Sequence, residues 1–517
     1  MKKLFLLILS ALLLCILTGC GTSGQASETE ETQAEVRSFG GYLLYHPENT
    51  DEAIRINAVR IDGDPYYFLP SPADIGTLDF GDADVSGLPE TLEPGVAYPV
   101  TINRRDYHLI RSAGTDALFL ELDEALSYLD ESKNRQATGS AWYLNADGTA
   151  ANAREETVEK LNGRGNASWG VVKKGYNFKL AESAHWIGNG TTRSYTLVAN
   201  YDDGSLLRNK IGLDLANELR VGPGAAEMVD LFVNGLYHGS YILTPKTTAS
   251  APKTGYMLEL DNNADENQFV LDHWSSRDYI SAFTVKDNDA EVPLSDIRDY
   301  MQEVWDAIRD TESDEYLSYI DIDSFAKHFL IQEFCKDGDP LSGSIFMYRC
   351  GTEPEDKLYM GPIWDLAYSM GRIFYNGRGH IHGKDISSAD GWYLENVDDA
   401  TTNLFAVLLE HDSFREAVRD TWADYADLFE ALPGNIDRAK ERYAVSARLN
   451  YLYWDIDHDD MNLYITGGKT VDSGPYAVEY IRTETWEDYV ANFRAYTAAR
   501  VKFLCENAPR IADENAD

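Results

Sequence analysis

The residues best suited to chemistry are Gly163-Arg164-Gly165-Asn166-Ala167-Ser168-Trp169, followed by Lys173-Lys174-Gly175-Tyr176-Asn177-Phe178-Lys179-Leu180. Glycines at 163 and 165 allow a tight turn and close backbone approach, and successive N–H groups in such a turn attract anions. Lys179 falls on the strand expected next and would add one fixed cation. A glycine turn with a strand lysine can grip a polyphosphate. The turn is no P-loop, because it lacks a Gly-Lys-Ser/Thr ending and no long helix follows. Arg164 either contacts phosphate or makes a local ion pair.

Two carboxylates lie downstream. Asp339 follows a predicted helix in Asp337-Gly338-Asp339-Pro340, where a loop carboxylate can accept a hydroxyl proton or bind a metal. Its plainer reading is a solvated turn. Asp365 stands between Trp364 and Leu366, and a carboxylate in apolar company needs a partner. A metal is one candidate and a backbone hydrogen bond is the other. Phosphoryl transfer asks for these parts: a phosphate cradle, a divalent metal and a positioned hydroxyl. Asp455-Ile456-Asp457-His458-Asp459-Asp460 begins like a calcium loop but lacks the sixth-position glycine and the closing glutamate, so a solvated acidic turn is the default. His185, His238, His380 and His382 are scattered singles, with no zinc spacing.

The elements that must position these groups follow from patterning. Residues 37–124 form a small β-rich domain, with apolar runs at 41–45, 53–61, 66–69, 98–102, 107–110 and 117–122 between turn clusters. Residues 125–517 form a second unit. Strands are expected near 141–144, 157–161, 177–180, 194–200, 228–233, 241–244 and 256–260, and Asn234-Gly235 marks a hairpin. Leu206, Leu207, Ile211, Leu215 and Leu219 recur at helical spacing and predict an amphipathic helix. After about residue 290 the pattern is helical, at 294–310, 322–333, 400–409, 412–432, 434–449 and 485–507. The fold class is α+β: a sheet-rich half, then a helical half, with a cleft between.

The chain carries 45 basic and 86 acidic residues, a net charge of −41. That charge repels nucleic acid and anionic lipid, so nucleic-acid binding is excluded. The hydrophobic fraction of 44%, with 32 Tyr and 10 Trp, supplies a large core. The start of the chain reads as a processing signal: Lys2 and Lys3, an apolar run over 4–17, then Leu17-Thr18-Gly19-Cys20. It resembles a bacterial lipoprotein signal (1–20), which makes Cys20 the lipidated residue. Residues 21–36 are an acidic flexible linker. The expected location is extracytoplasmic, held to the cell membrane only through Cys20. Cys335, Cys350 and Cys505 exclude a disulfide framework, leaving one bridge between Cys335 and Cys350 or free thiols.

From about residue 125 the chain resembles the CotH kinase-like family. The motifs occur in order: GRGNASW, KKGYNFKL, LVANYDDGSLLRNKIGLDLANEL, VDLFVNGLYHGSYILT, GYMLELDN, IQEFCKDGDPLSGSIFMY and KLYMGPIWDLAYSMG. The resemblance implies an atypical protein-kinase-like domain using ATP and Mg²⁺ or Mn²⁺ to phosphorylate Ser or Thr of an extracellular or surface protein. It implies that Gly163, Arg164, Gly165 and Asn166 lie near the nucleotide, that Lys179 meets phosphate, and that Arg208 and Asn209 support the site. Asp339 takes the place of the catalytic-loop aspartate, with a share in metal binding, and Asp365 that of the metal-binding aspartate. Three positions depart from the family pattern. Ala367 stands where a second aspartate is usual, Pro245 where a glutamate is common, and the Ser344 region where some members have asparagine. Losing a hard oxygen ligand keeps open a non-catalytic, pseudokinase-type protein that binds nucleotide or a partner.

Overall fold

The computed structural model describes residues 41–48, 50, 53–149, 155–261, 266–274, 282–337, 343–372, 380–381, 384–394, 403–454, 456 and 468–513. Cys20, the linker, Asp339 and most of the 455–460 acidic run lie outside the described residues.

Alternation of side chains builds the centre of the molecule. In Gly175–Ala184, Tyr176, Phe178 and Leu180 are buried among apolar neighbours, whereas Asn177 and Lys179 turn to the other face. Strands with this pattern close on themselves: β1 (Asp116–Leu122), β2 (Gln136–Leu144), β3 (Glu156–Arg164), β4 (Gly175–Ala184), β5 (Thr192–Val198), β6 (Glu227–Val233) and β7 (Leu236–Pro245). The barrel order is β2-β3-β4-β5-β7-β6-β1, and the parallel pairing of β6 with β1 closes the ring that antiparallel pairs otherwise build. Tyr143, Phe178, Trp186 and Tyr195 stack in its interior. The hairpin at Asn234-Gly235 is present, with φ of 50° and 78°, the left-handed pair that a two-residue turn requires.

A five-stranded sheet stands beside the barrel. It contains β8 (Tyr256–Asp261), β9 (Gln268–Phe269), β10 (Ala282–Asp287), β11 (Ile345–Arg349) and β12 (Leu358–Met360), in the order β9-β10-β8-β11-β12. Helices α1 (Arg208–Glu218), α2 (Leu294–Arg309), α3 (Ile322–Cys335), α4 (Asp412–Glu430), α5 (Leu432–Tyr453) and α6 (Trp486–Asn507) share one apolar core with this sheet. The result is a mixed α+β fold. Helix α1 is not amphipathic as expected: Arg208, Asn209 and Lys210 are buried together with Ile211 and Leu215.

The N-terminal residues form two further sheets. One pairs Tyr42–Tyr45 with Ile54–Asn57 and Leu78–Asp79, and the other contains Val59–Ile61, Asp64–Leu69, Arg105–Arg111, Tyr98–Ile102 and Val85–Ser86. Residues 117–122, read from sequence as the last strand of this region, are instead barrel strand β1. The core of these sheets also includes Phe119, Phe232, Tyr237 and Leu449 from the barrel and α5, so it does not close without them. Cys335 is buried and Cys350 exposed, both as free thiols, which removes the proposed bridge.

Candidate functional site

A polar cleft of about 680 Å³ lies over the outer face of β3–β5 and reaches β8, β10 and the Trp364-Asp365 segment. That size is within the ~300–1,000 Å³ of small-molecule sites. Cations and carboxylates share its lining: Lys133, Arg164, Lys246 and Lys286 with Asp202, Glu259, Asp261 and Asp365.

Asp365 is the best-defined group. Its backbone is left-handed (φ 63°), a conformation Asp tolerates better than most residues. The next residue is pinned, because Leu366 N–H donates to Asn209 Oδ1 at 2.8 Å. Asn209 Nδ2 in turn donates to Asn200 Oδ1 at 2.9 Å, so one side chain joins the Asp365 segment to the turn that carries Asp202. Burial pushes the Asp365 carboxyl above its usual range; Arg164 pulls it down and Asp202 pushes it up. Arg164 also lies over the Trp364 ring, 5.4 Å from its centroid. Glu259 is raised by burial, against the pull of Lys286 at 2.6 Å and with added push from Asp261 and Asp365.

Arg208 does not line the cleft. It is 5% exposed and forms an ion pair with the fully buried Asp203, while Nε donates to Ser369 O at 3.0 Å. Its backbone N–H also donates to Asp203 Oδ2, at 2.9 Å. It therefore braces the start of α1 against the segment after Asp365, a structural task rather than ligand contact.

The glycine segment departs from expectation in detail. Gly163 and Arg164 are strand residues, and the turn begins at Gly165 (φ 103°). Gly163 is needed for a different reason: a Cβ there would sit about 2.1 Å from the Trp169 ring. Lys133 Nζ donates to Gly165 O at 2.7 Å, and Lys174 Nζ to Trp169 O at 2.8 Å, so lysines clamp the turn's carbonyls. Gly165 and Asn166 line the cleft; Gly163 does not.

Lys179 is the main correction. It lies outside the cleft lining, 40% exposed at its side chain and 3.6 Å from Glu159. Asn177, two residues nearer the Arg164 end on the same face, lines the cleft instead. Sequence reading missed Lys246 and Lys286, which the pairing of β7 with β5 and of β10 with β8 brings in. Lys173, in the second motif but given no role there, is buried at the cleft wall and donates to Ala199 O (2.9 Å), Ser240 O and Asn450 Oδ1 (2.8 Å). Its three acceptors use all three ammonium protons.

The end of α3 lies outside the cleft lining. Glu333 and Arg500 are both fully buried and pair at 2.8 Å, and Glu333 also accepts from the backbone N–H of Tyr393 and Leu394. Met370 N–H donates to Cys335 O at 2.7 Å, tying this helix end to the Asp365 segment. Burial and the neighbouring Arg500 push the Lys336 ammonium down to about 7. Among the described residues, His238 is half-buried outside the cleft lining, its imidazole pushed down to about 4 by desolvation, and no group of three His, Cys, Asp or Glu is placed to hold an ion unaided. Also among the described residues, no helix is long and apolar enough to cross a membrane.

The hard oxygen donors here suit Mg²⁺ or Mn²⁺ better than a softer metal. Magnesium commonly relies on one or two carboxylates plus substrate phosphates and water, and Asp365 and Asp202 offer two carboxylates in the cleft. Compared with known proteins, the chain matches the family described as CotH kinase protein over residues 161–504. No curated protein matches it.

Proposed function

The chain belongs to the CotH kinase family, and on that premise we propose that the cleft carries out metal-dependent phosphoryl transfer from ATP to a Ser or Thr hydroxyl. The observation that carries this reading is the meeting of Asp365, Asp202 and Arg164 at one end of a cleft that also holds Lys246 and Lys286. Asp365, with Asp202, would hold the divalent cation, which would supply neutralisation of phosphate charge. Asp202 offers a carboxylate in a cleft where Ala367 supplies none. Arg164 and the cleft lysines would bind phosphate oxygens. The acceptor oxygen forms a bond to the γ-phosphorus as the bond to the bridging oxygen breaks, and ADP leaves. Asp339, by its place in the sequence, would take the hydroxyl proton. The protein would act outside the cytoplasm, anchored through Cys20, on a surface or extracellular protein.

A second reading follows from Ala367, which lines the cleft without a ligand atom: a pseudokinase that binds nucleotide or a partner. Thermal stabilisation by ATP with Mn²⁺, followed by incorporation of labelled γ-phosphate, separates the two. Transfer lost in both Asp339→Ala and Asp365→Ala supports the kinase. Stabilisation without transfer supports the pseudokinase. Absence of both signals in the wild-type chain defeats the kinase and the nucleotide-binding pseudokinase, and favours a partner-binding protein.

A further inference from the structure

On the outer barrel face, strand register places ammonium groups side by side. Lys160 of β3 is directly opposite Lys179 of β4, and Lys179 is opposite Ser194 of β5. The backbone N–H of Lys246 donates to Ser194 O at 3.0 Å, which brings Lys246 into the same row. Lys286 of β10 completes the group: burial pushes the Lys246 ammonium down, Lys160 and Lys286 add to that, and Asp287 pulls weakly the other way. Like charges directly opposite on neighbouring strands are destabilising. Among the described residues, neither Lys160 nor Lys246 has a carboxylate within ion-pair distance, while Lys179 and Lys286 pair with Glu159 and Glu259. A chain with a net charge of −41 does not arrive at such a row through general basicity.

The row is continuous with the cleft. Lys246 and Lys286 line it, and Lys160 and Lys179 extend it outward across the barrel wall. Lys160 precedes Arg164 by four residues on one strand, and Arg164 stands at the Asp365 end. At ~3.4 Å per strand residue the separation is about 14 Å, and an extended peptide covers that in about four residues.

We propose that Lys160 and Lys179, the outward pair of this row, are a docking site for the acidic flank of the phosphoacceptor segment, with Asp or Glu about four residues from the hydroxyl; Lys246 and Lys286, at the inner end, stay with the nucleotide phosphates. This rests on the kinase reading for the identity of the ligand as an acceptor. An acidic peptide is favoured over an anionic membrane because the row leads into a concave cleft that a flat bilayer does not enter.

The test uses the full chain and two fluorescent Ser-centred peptides, one with Glu residues about four positions from the serine and one with Gln in their place. Anisotropy without nucleotide reads binding, and ATP/Mn²⁺ thermal stabilisation reads the nucleotide site separately. The Lys160→Glu/Lys179→Glu variant changes only the outward pair. The expected result is at least tenfold tighter binding of the Glu peptide by the wild-type chain, lost in the variant, with nucleotide stabilisation unchanged. Equal binding of both peptides overturns the proposal. So does a variant that keeps its preference for the Glu peptide, or one that loses nucleotide stabilisation, which would assign the row to the nucleotide. Binding to phosphatidylserine vesicles that is lost in the variant, with no preference between peptides, overturns it in favour of a membrane. Phosphoryl transfer without acid preference removes the docking site and keeps the kinase. Acid preference without transfer to either peptide removes the kinase and keeps the anion site.

Discussion

Two polar regions of one cleft are built on opposite principles. In and behind its floor, Arg208 meets Asp203, Asn209 meets both Asn200 and Leu366 N–H, and Lys173 meets three acceptors. Each donor there has its partner inside the protein. At the rim, Lys160 faces Lys179, and Lys246 lies close to Lys160 and Lys286. The first region is satisfied and fixes shape; the second carries unbalanced charge. A buried polar group left without a partner is expensive, whereas solvent tolerates unbalanced charge at the surface. The contrast separates residues that hold the cleft from residues that meet what enters it.

The contrast breaks most visibly at Arg208. Arg208→Ala would strand the buried Asp203 carboxylate and is expected to cost ~3–5 kcal/mol, read as a lower denaturant midpoint. Asn209→Ala should cost less, about 1–3 kcal/mol, because it leaves the Leu366 N–H without its acceptor. It should also weaken Mn²⁺ binding by loosening Asp365; unchanged Mn²⁺ affinity would detach Asn209 from the site.

Asp365→Asn sharpens the comparison from the other direction. A carboxyl raised by burial stabilises the fold below its unfolded pKa, and that contribution is lost as pH rises through the raised folded value. At neutral pH the amide should therefore match or exceed the wild type in stability while abolishing ATP/Mn²⁺ stabilisation. The same raised carboxyl makes Mn²⁺ affinity fall on acidification at a higher pH than an ordinary carboxylate would. Calorimetric titration at several pH values checks the slope, and a flat profile would remove Asp365 from the ligand set. The smallest effect belongs to the rim: Lys160→Glu converts a like-charge cross-strand pair into an opposite one and should change stability by no more than ~1 kcal/mol, upward.

Much of this was legible in the sequence. Alternation gave the barrel strands their inward and outward faces, and Asn234-Gly235 announced its hairpin. The Trp364-Asp365 pairing marked a buried carboxylate that does stand in the cleft. Alternation with the buried Phe178 and Leu180 sets Lys179 on the outer face. It could not say that the cleft stops at Asn177, because that depends on how β8, β10 and the Asp365 segment lie across the barrel. Lys246 and Lys286 were hidden for the same reason, coming from strands distant in sequence. Gly163 was chosen for backbone freedom, but the ring of Trp169 six residues later explains it. Arg208 and Asn209 sit in a run with helical leucine spacing, and spacing alone does not reveal polar groups turned inward.

The ring closure carries a practical consequence. Family similarity starts at residue 161, partway along β3, yet the strand that shuts the barrel is Asp116–Leu122. A polypeptide begun at residue 125 would lack that stave, leaving β2 and β6 as bare margins open to pairing between molecules. Phe232 and Tyr237 would lose their aromatic cover at the same time. Where ancestry is recognisable and where the fold can be safely cut are different places in this protein.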